Sequence, residues 1–378
     1  MEFDPPRRIG VFKFKHIGDV LLMTPALREL RRRFPEARLT AVVHAFAAPM
    51  LEGNPDVDDI ITAGHLEGPT GKLQRLRSEL SLVGRIRAQR FDLTLDFGTS
   101  ERAIWCGLLS GARRRAGFLY HRWQPGAWQR RLMTHLYALP ANWRFKQETH
   151  QVLKDLWLVR QLGKDRPEDG SEAPEVLSAE DTAENLPLVF QPSEADLDWA
   201  ETFLRPHRPE RVVIVHPVSR WMSKCWLPER LAKVIDWLQR ERGSRVILTS
   251  SATAQEVNYL NAIEEHCATR PFLLPGTATL GQLGGLIRAA DGFLGIDSAP
   301  MHMAAALGTP QVALFGVTRP EDWGPWSPRA QVLAHPLSPH DPRIKNYDKR
   351  GPHPSMELIT VEEVRQALDE ILPVAPKN

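Results

Sequence analysis

The chain has 378 residues, a formal net charge of +2 and three scattered cysteines. This length favours two domains, and the near-neutral charge excludes nucleic-acid binding by bulk electrostatics. The cysteines form no CxxC pair, so neither a disulfide framework nor a zinc site is expected, which fits a reducing cytoplasm. No run of about 18 apolar residues and no hydrophobic secretory core is present, so neither a membrane span nor a signal peptide is predicted.

Strands and helices alternate through the N-terminal half of the chain. Short runs rich in Val, Ile, Leu and Phe predict strands, and longer amphipathic stretches predict helices. The strand–helix–strand unit at residues 13–43 is the building block of a parallel sheet. Strands are expected at residues 9–14, 37–43 and 91–97, a loop followed by a third strand within 54–62, and helices at 20–34, 73–90, 99–109 and 148–162.

Residues 102–146 are strongly basic and contain four interleaved tryptophans. One interpretation is a solvated basic face above core tryptophans. The other is a surface for a polyanionic or membrane-embedded acceptor, because basic patches with Trp can lie at an anionic interface without crossing it. The composition is compatible with nucleic acid, but no recognised nucleic-acid-binding module is present, and nucleic acid is not expected as a partner.

The acidic segment 163–187 contains prolines and few large apolar residues, which predicts a partly disordered interdomain linker. After it, strands and helices alternate again, which predicts a second doubly wound α/β domain. Ser193 and the Thr360–Glu363 pair are typical helix caps. Strands are expected at residues 188–190, 212–215, 245–249, 271–274, 293–296 and 311–314, helices at 193–204, 228–242, 254–267, 280–290, 300–307 and 360–372, and irregular structure at 329–354.

Two strand–turn–helix units in the second domain predict an anion site. They are VVIVHPVSRWMSKCW at residues 212–226 and DGFLGIDSAPMHMAAALGTPQVALFG at 291–316. A strand that runs into a helix directs unpaired backbone N–H groups outward, and open parallel sheets bind ligands at this edge. A lone lysine is usually a surface charge, but Lys224 stands where an anion is already favoured. We therefore expect the two units to hold a nucleotide diphosphate.

Three further positions are candidates for contact with the nucleotide. Ser298 and His302 are one helical turn apart and share a face, so they can converge on a phosphate or a ribose. The alternative is a capping serine beside a core histidine. Glu256 is a candidate acceptor of hydrogen bonds from a ribose, although glutamates are common on helix surfaces.

Asp19 follows Gly18 at the boundary between a strand and a helix. A carboxylate there is commonly a cap that the helix dipole stabilises. The alternative is a general base, which typically contributes about 10²–10⁴-fold in rate. The absence of GxGxxG after a strand, of GxxxxGK[ST] and of G-x-S-x-G disfavours dinucleotide-fold dehydrogenases, P-loop NTPases and nucleophile-elbow hydrolases. The Asp-x-Asp triplets at 56–58 and 196–198 are not expected to bind a metal.

Three blocks of the sequence resemble the lipopolysaccharide heptosyltransferases, glycosyltransferase family 9. They are FKHIGDVLLMTPALRELRRRFPEARLTAVV, HPVSRWMSKCW and FLGIDSAPMHMAAALGTPQVALFG. The SKCW and DSAPMH variants are similar to the members that add the side-branch heptose of the inner core. Ala299 stands where related members more often have glycine.

The resemblance implies a GT-B fold, in which two Rossmann-like α/β domains face each other across a cleft. It implies an acceptor-binding domain at residues 1–162 and, after the linker at 163–187, an ADP-sugar-binding domain at 188–355. The last helix, within residues 356–378, is expected to pack back toward the N-terminal domain.

The resemblance also implies roles for single residues. Asp19 matches the family's catalytic base, and Lys224 matches its donor-binding lysine. The residues expected to bind the donor are Ser219, Lys224, Glu256, Asp297, Ser298, Ala299 and His302. Those expected to bind the acceptor are Lys15, His16, Arg113, Arg122 and Arg144.

The sequence is therefore interpreted as an inverting glycosyltransferase that needs no metal or other cofactor. It is expected to transfer L-glycero-D-manno-heptose from ADP-heptose to a heptose of the lipopolysaccharide inner core. The expected partners are this donor, the core–lipid A acceptor and the anionic inner leaflet of the inner membrane, to which the cytoplasmic protein would bind peripherally. Two alternatives remain, a GT-B transferase or epimerase for another sugar nucleotide, and a non-catalytic relative that binds lipopolysaccharide or a nucleotide.

Overall fold

The computed structural model describes residues 4–64, 71–98, 100–119, 132–138, 149–163, 177–207, 211–338, 340–345, 347–348 and 350–372. The chain divides into two compact units, Met1–Val189 and Phe190–Asn378. None of the helices in the described part of the chain combines the length and the hydrophobicity that spanning a bilayer requires.

The first unit is built on a parallel sheet with the strand order β3-β2-β1-β4-β5-β6. Its strands are β1 (Arg8–Lys13), β2 (Arg38–His44), β3 (Asp59–Ala63), β4 (Leu93–Asp96), β5 (Arg114–Leu119) and β6 (His135–Ala138). Its helices are α1 (Ile17–Leu22), α2 (Thr24–Arg33), α3 (Lys72–Ala88), α4 (Glu101–Leu109) and α5 (Gln151–Gln161), with a 3₁₀ segment at Ala45–Met50. Strands β1 and β4 are buried almost throughout, as parallel strands covered on both faces are.

The helix predicted at residues 20–34 is two helices in the structure, α1 and α2. Pro25 has no N–H group to donate to the carbonyl oxygen of Leu21. The hydroxyl of Thr24 donates to that oxygen instead, at 2.8 Å. The short helix α1, which carries Asp19, is therefore a separate element.

The second unit repeats this topology, with the strand order β12-β11-β10-β7-β8-β9 and all pairings parallel. Its strands are β7 (Arg211–His216), β8 (Ser244–Ser250), β9 (Phe272–Pro275), β10 (Gly292–Ile296), β11 (Gln311–Phe315) and β12 (Ala330–Ala334). Its helices are α6 (Glu194–Leu204), α7 (Pro228–Arg240), α8 (Ala254–His266), α9 (Leu280–Ala289), α10 (Ala299–Leu307), α11 (Pro320–Trp323), α12 (Pro342–Lys345) and α13 (Val361–Ile371), with 3₁₀ segments at Arg205–His207, Met222–Lys224 and Pro354–Leu358. In each sheet the chain order reverses beside the first strand, between β1 and β4 and between β7 and β10, and doubly wound sheets bind ligands at this point.

Several elements differ from the sequence-based expectation. Residues 188–190 are not a strand, and β12 lies in the segment expected to be irregular. Strands β5 and β6 lie within the basic segment, where no strand was predicted. β12 is only half-buried at the sheet edge, so its sequence lacks the apolar run of a central strand.

The final helix, α13, packs on α7, β11 and β12. Val364, Ala367 and Leu368 join the hydrophobic core of the second unit. The apolar face of this helix is thus used within the second unit, and its packing toward the N-terminal domain stays a prediction. Its predicted cap is confirmed, since the Thr360 hydroxyl accepts the N–H of Glu363 at 3.2 Å.

The described part of the acidic segment folds onto the first unit. The two terminal guanidinium nitrogens of Arg160 donate to the carboxylate of Asp181, at 2.7 and 2.8 Å. The N–H of Val189 donates to the hydroxyl of Thr24 at 3.0 Å. Residues 164–176 of the predicted linker lie outside the described residues.

Candidate active site

The residues predicted to bind the donor meet at the carboxyl edge of the second sheet. Ser219 and Lys224 follow β7, Asp297 and Ser298 follow β10, and Glu256 follows β8. These three strands are neighbours, in the order β10-β7-β8. The residues therefore gather around the point where the strand order reverses.

Lys224 and Asp297 form an ion pair at this edge. The ammonium nitrogen of Lys224 lies 2.7 Å from Oδ2 and 3.4 Å from the carbonyl oxygen of Asp297. Their side chains are 16% and 9% exposed. The centroid of the Trp221 ring lies 4.8 Å from the same nitrogen, within cation–π range. A carboxylate and an aromatic ring thus hold the cation in place while solvent still reaches it.

Ser298 precedes α10, but its side chain does not cap that helix. Its hydroxyl oxygen is buried and has no hydrogen-bond partner among the described residues. Such an unsatisfied group typically costs about 1–3 kcal/mol. The first N–H groups of α10, including that of Ala299, also lack partners within the helix. A helix start of this kind favours a bound anion, although Pro300 contributes no N–H.

The remaining donor candidates already have contacts within the protein. The Ser219 hydroxyl accepts the N–H of Trp221 at 3.0 Å, and the buried Glu256 carboxylate accepts the N–H of Ser251 at 2.8 Å. His302 is 3% exposed, one turn beyond Ser298. Trp221 is 54% exposed and was not predicted, because a tryptophan in a loop carries no distinctive sequence signal.

In the first unit, Asp19 lies at the carboxyl end of β1, beside β4. It is the third residue of α1, and its Oδ2 accepts the N–H of His16 at 3.1 Å. The carboxylate is half-buried. The capping role is therefore confirmed. A carboxylate accepts through two oxygens, so capping is compatible with the proposed role as a base.

A buried ion pair close to Asp19 was missed by the sequence analysis. The ammonium of Lys13 lies 2.8 Å from Oδ2 of Asp155, and the two side chains are 1% and 0% exposed. The Gln151 amide donates to the other oxygen at 3.0 Å. The pKa of Asp155 is raised to about 6, because burial and, to a smaller extent, the negative charge of Asp19 outweigh the lowering effect of Lys13 and Gln151. The sequence feature that could have indicated this pair is a lysine at the end of an apolar strand.

The predicted acceptor residues do not all come together. Lys15 and His16 are exposed in the loop between β1 and α1, at the same edge as Asp19. Arg113 precedes β5 and so lies at the opposite, amino-terminal edge of the parallel sheet. Arg122 and Arg144 lie outside the described residues.

Arg102 is a further basic residue at the edge that carries Asp19. It lies in the first turn of α4, directly after β4, and is paired with Glu79 of α3. Its guanidinium lies 4.9 Å from the centroid of the Phe14 ring. Arg113 and Arg114, in contrast, lie at the amino-terminal end of β5.

The three cysteines are free thiols, in agreement with the sequence analysis. Burial raises the pKa of each of them to about 12, so they are protonated at neutral pH. Such thiols are poor nucleophiles. Within the described ranges there is no group of three or more His, Cys, Asp or Glu side chains that could hold a metal ion.

Known proteins resemble this chain in both sequence and structure. The model of glycosyltransferase family 9 (heptosyltransferase) matches residues 80–352. Lipopolysaccharide heptosyltransferase 3 of Escherichia coli K12 is 28% identical over an alignment of 368 residues, and the match covers 95% of this chain and 96% of the relative. A glycosyl transferase family 9 structure from Veillonella parvula has a TM-score of 0.76 at 23% identity and covers 98% of both chains. The E. coli ADP-heptose lipopolysaccharide heptosyltransferase II has a TM-score of 0.74 at 22% identity and covers 96% of this chain and 98% of its own. The predicted GT-B fold class is confirmed.

Proposed function

We propose a donor, an acceptor and a mechanism, starting from the premise that this chain belongs to glycosyltransferase family 9, the heptosyltransferases. The proposed reaction transfers L-glycero-D-manno-heptose from ADP-heptose to a heptose of the lipopolysaccharide inner core. Two similar E. coli proteins support this choice by their names, which specify lipopolysaccharide and, for one of them, ADP-heptose.

The observation that carries the donor assignment is the buried, unpartnered hydroxyl of Ser298 beside the Lys224–Asp297 pair. In the proposal, the diphosphate of ADP-heptose accepts hydrogen bonds from this hydroxyl, from the first N–H groups of α10 and from Lys224. A charge-assisted hydrogen bond of this kind typically contributes about 1.5–3 kcal/mol. Glu256, after the neighbouring strand, accepts from the ribose hydroxyls.

The proposed chemistry is a single displacement with inversion. The carboxylate of Asp19 takes the proton from the acceptor hydroxyl while that oxygen forms a bond to the anomeric carbon. The bond from this carbon to the diphosphate oxygen breaks, and its electron pair leaves with ADP. Lys224 and the start of α10 stabilise the charge that develops on ADP, so the mechanism requires no metal.

The acceptor in this proposal is the phosphorylated core attached to lipid A. Lys15 and His16 lie within four residues of Asp19 and are exposed, so they are suited to its anionic groups. Because lipid A is anchored in a membrane, we propose a cytoplasmic enzyme that binds peripherally to the inner leaflet.

Incubation with ADP-heptose and defined truncated core acceptors tests the proposal. The expected result is a product heavier by one heptose, with an anomeric configuration by NMR opposite to that of the donor. Retained configuration would contradict single displacement. Transfer from another sugar nucleotide, or its epimerisation, would favour the alternative enzyme class. A rise in melting temperature with ADP, without product from any acceptor, would identify a non-catalytic relative.

A further inference from the structure

We infer that helix α3 is the surface through which this protein contacts an anionic lipid bilayer, an inference that rests on the lipid-anchored acceptor proposed above. Leu73, Leu76 and Leu80 on this helix are 63%, 55% and 62% exposed. Their spacings of three, four and seven residues place them in one stripe along the helix. A contiguous exposed apolar patch is typical of an interaction site.

The stripe is separate from the face with which α3 packs on the sheet. Leu82 and Ile86 are 1% and 0% exposed and belong to the hydrophobic core of the first unit. At 3.6 residues per turn, the exposed leucines point about 130° away from them. Glu79 pairs with Arg102 of α4, which fixes the rotation of α3. Packing of the first unit therefore leaves the leucines exposed.

The charge of α3 selects an anionic occupant. The helix, KLQRLRSELSLVGRIRA, contains one lysine and four arginines against Glu79 as its one acid. Arg77 and Arg87 are exposed on the side of the leucines. Basic residues beside an apolar stripe are typical of helices that lie in the interface of anionic membranes. A second copy of the chain on the same stripe would bring two basic helices together, which like charges disfavour.

The position of the stripe also fits a lipid-anchored acceptor. Since α3 follows β3, its N-terminal half with the three leucines lies at the carboxyl edge of the sheet. The same edge carries Lys15 and Asp19. A bilayer against the stripe therefore lies beside the edge where the acceptor hydroxyl must arrive.

Co-sedimentation with vesicles of phosphatidylglycerol and phosphatidylethanolamine tests this inference. The wild type is expected to bind. The combined Leu73→Gln, Leu76→Gln and Leu80→Gln variant should bind about tenfold or more weakly, because the apolar area that enters the interface is lost. Arg77→Glu with Arg87→Glu should weaken binding to anionic vesicles by a similar factor and leave neutral phosphatidylcholine vesicles unaffected.

Matched controls separate this inference from the proposed reaction. Val317→Gln with Val332→Gln removes exposed apolar residues of the second unit and should leave vesicle binding unchanged. Turnover of a delipidated, water-soluble acceptor should stay at the wild-type rate in the leucine variant, so a failure of the proposed reaction is seen separately. Wild-type binding by the leucine variant, or no binding of the wild type to anionic vesicles, would overturn the inference. The inference would also be overturned if ultracentrifugation showed a dimer for the wild type and a monomer for the leucine variant while that variant still bound vesicles. The stripe would then be an interface between two copies of the chain.

Discussion

The two units share one sheet topology but differ in the buried polar residue that ends their first strand. Lys13 ends β1 and forms an ion pair with Asp155 at 2.8 Å. His216 ends β7, and its Nδ1 lies 2.9 Å from the Thr249 hydroxyl oxygen. Burial lowers the pKa of His216 to about 4, so this side chain is neutral at physiological pH. The same position thus holds a buried charge in one unit and a neutral hydrogen bond in the other.

Two ion pairs, one in each unit, differ in how far solvent reaches them. Lys13 and Asp155 are 1% and 0% exposed, whereas Lys224 and Asp297 are 16% and 9% exposed. A fully buried pair has no access to a ligand, and removing one partner leaves an uncompensated charge. A pair at the open edge can exchange part of its interaction for a bound anion. Burial therefore separates a structural pair from one suited to binding.

The largest expected effect is a difference in turnover between variants of two aspartates that each cap a helix. Asp19→Asn should lower kcat about 10²–10⁴-fold, because the amide cannot accept the acceptor's proton, and should leave the Kd for ADP unchanged. Asp196→Asn is the matched control, since Asp196 occupies the same third position in α6 and accepts the N–H of Ser193 at 3.1 Å. This control should keep wild-type turnover. Equal losses in the two variants would refute the assignment of the base.

The next effect contrasts the two lysines. Lys13→Met should lower the free energy of unfolding by about 3–5 kcal/mol, because the Asp155 charge loses its partner in the core. Lys224→Met should cost less than Lys13→Met, because solvent still reaches its pair. It should instead raise the Kd for ADP about 10- to 100-fold. Urea unfolding measures the stability of each variant, and calorimetric titration measures its Kd for ADP. A stability loss for Lys224→Met as large as that for Lys13→Met would contradict the contrast.

The pH dependence of stability should have opposite signs at Asp155 and His216. The folded pKa of Asp155 is raised from 3.8 to about 6, so in this window the folded state holds a proton that the unfolded chain has released, and stability falls as pH rises. The folded pKa of His216 is lowered from 6.5 to about 4, so the unfolded chain holds the extra proton, and stability rises with pH. Each slope is at most about 1.4 kcal/mol per pH unit.

Urea unfolding between pH 4 and 7 checks these signs. The wild-type curve minus that of Asp155→Asn isolates the falling contribution, and the wild-type curve minus that of His216→Asn isolates the rising one. Titrating groups that do not interact with the substituted residue cancel in each difference. Two differences of the same sign would contradict the assigned burial effects.

The smallest effect compares two serines that precede helices. Ser193→Ala should cost about 1 kcal/mol of stability, because its hydroxyl accepts the N–H of Asp196 at 3.2 Å. Ser298→Ala should cost nothing or be slightly stabilising, because it removes a buried hydroxyl without a partner in the described structure. The Kd for ADP should rise only in the second variant, about 2- to 10-fold. A stability loss in Ser298→Ala equal to that in Ser193→Ala would show an ordinary cap.

Local patterns predicted most of the strands and helices, because apolar periodicity and turn residues lie within short windows. They also marked Asp19, Lys224 and Ser298 as candidates, since each stands beside a strand–helix junction, and their functional roles stay predictions. The pairing of Lys224 with Asp297 was beyond them, as was the Lys13–Asp155 pair, because these partners are 73 and 142 residues apart. The core that α13 joins was beyond them for the same reason, since an amphipathic helix does not specify which apolar surface it covers.

The sequence alone determined the alternation of strands and helices, and with it two doubly wound sheets whose carboxyl edges collect the candidate residues. The tertiary structure alone decided which charged side chains are buried and which remain accessible to solvent. It also decided that Arg113 lies at the opposite edge from Asp19 and that the leucines of α3 face solvent. The physical reason is that burial depends on every element packed around a side chain. Periodicity, in contrast, reports only the neighbours along one strand or helix.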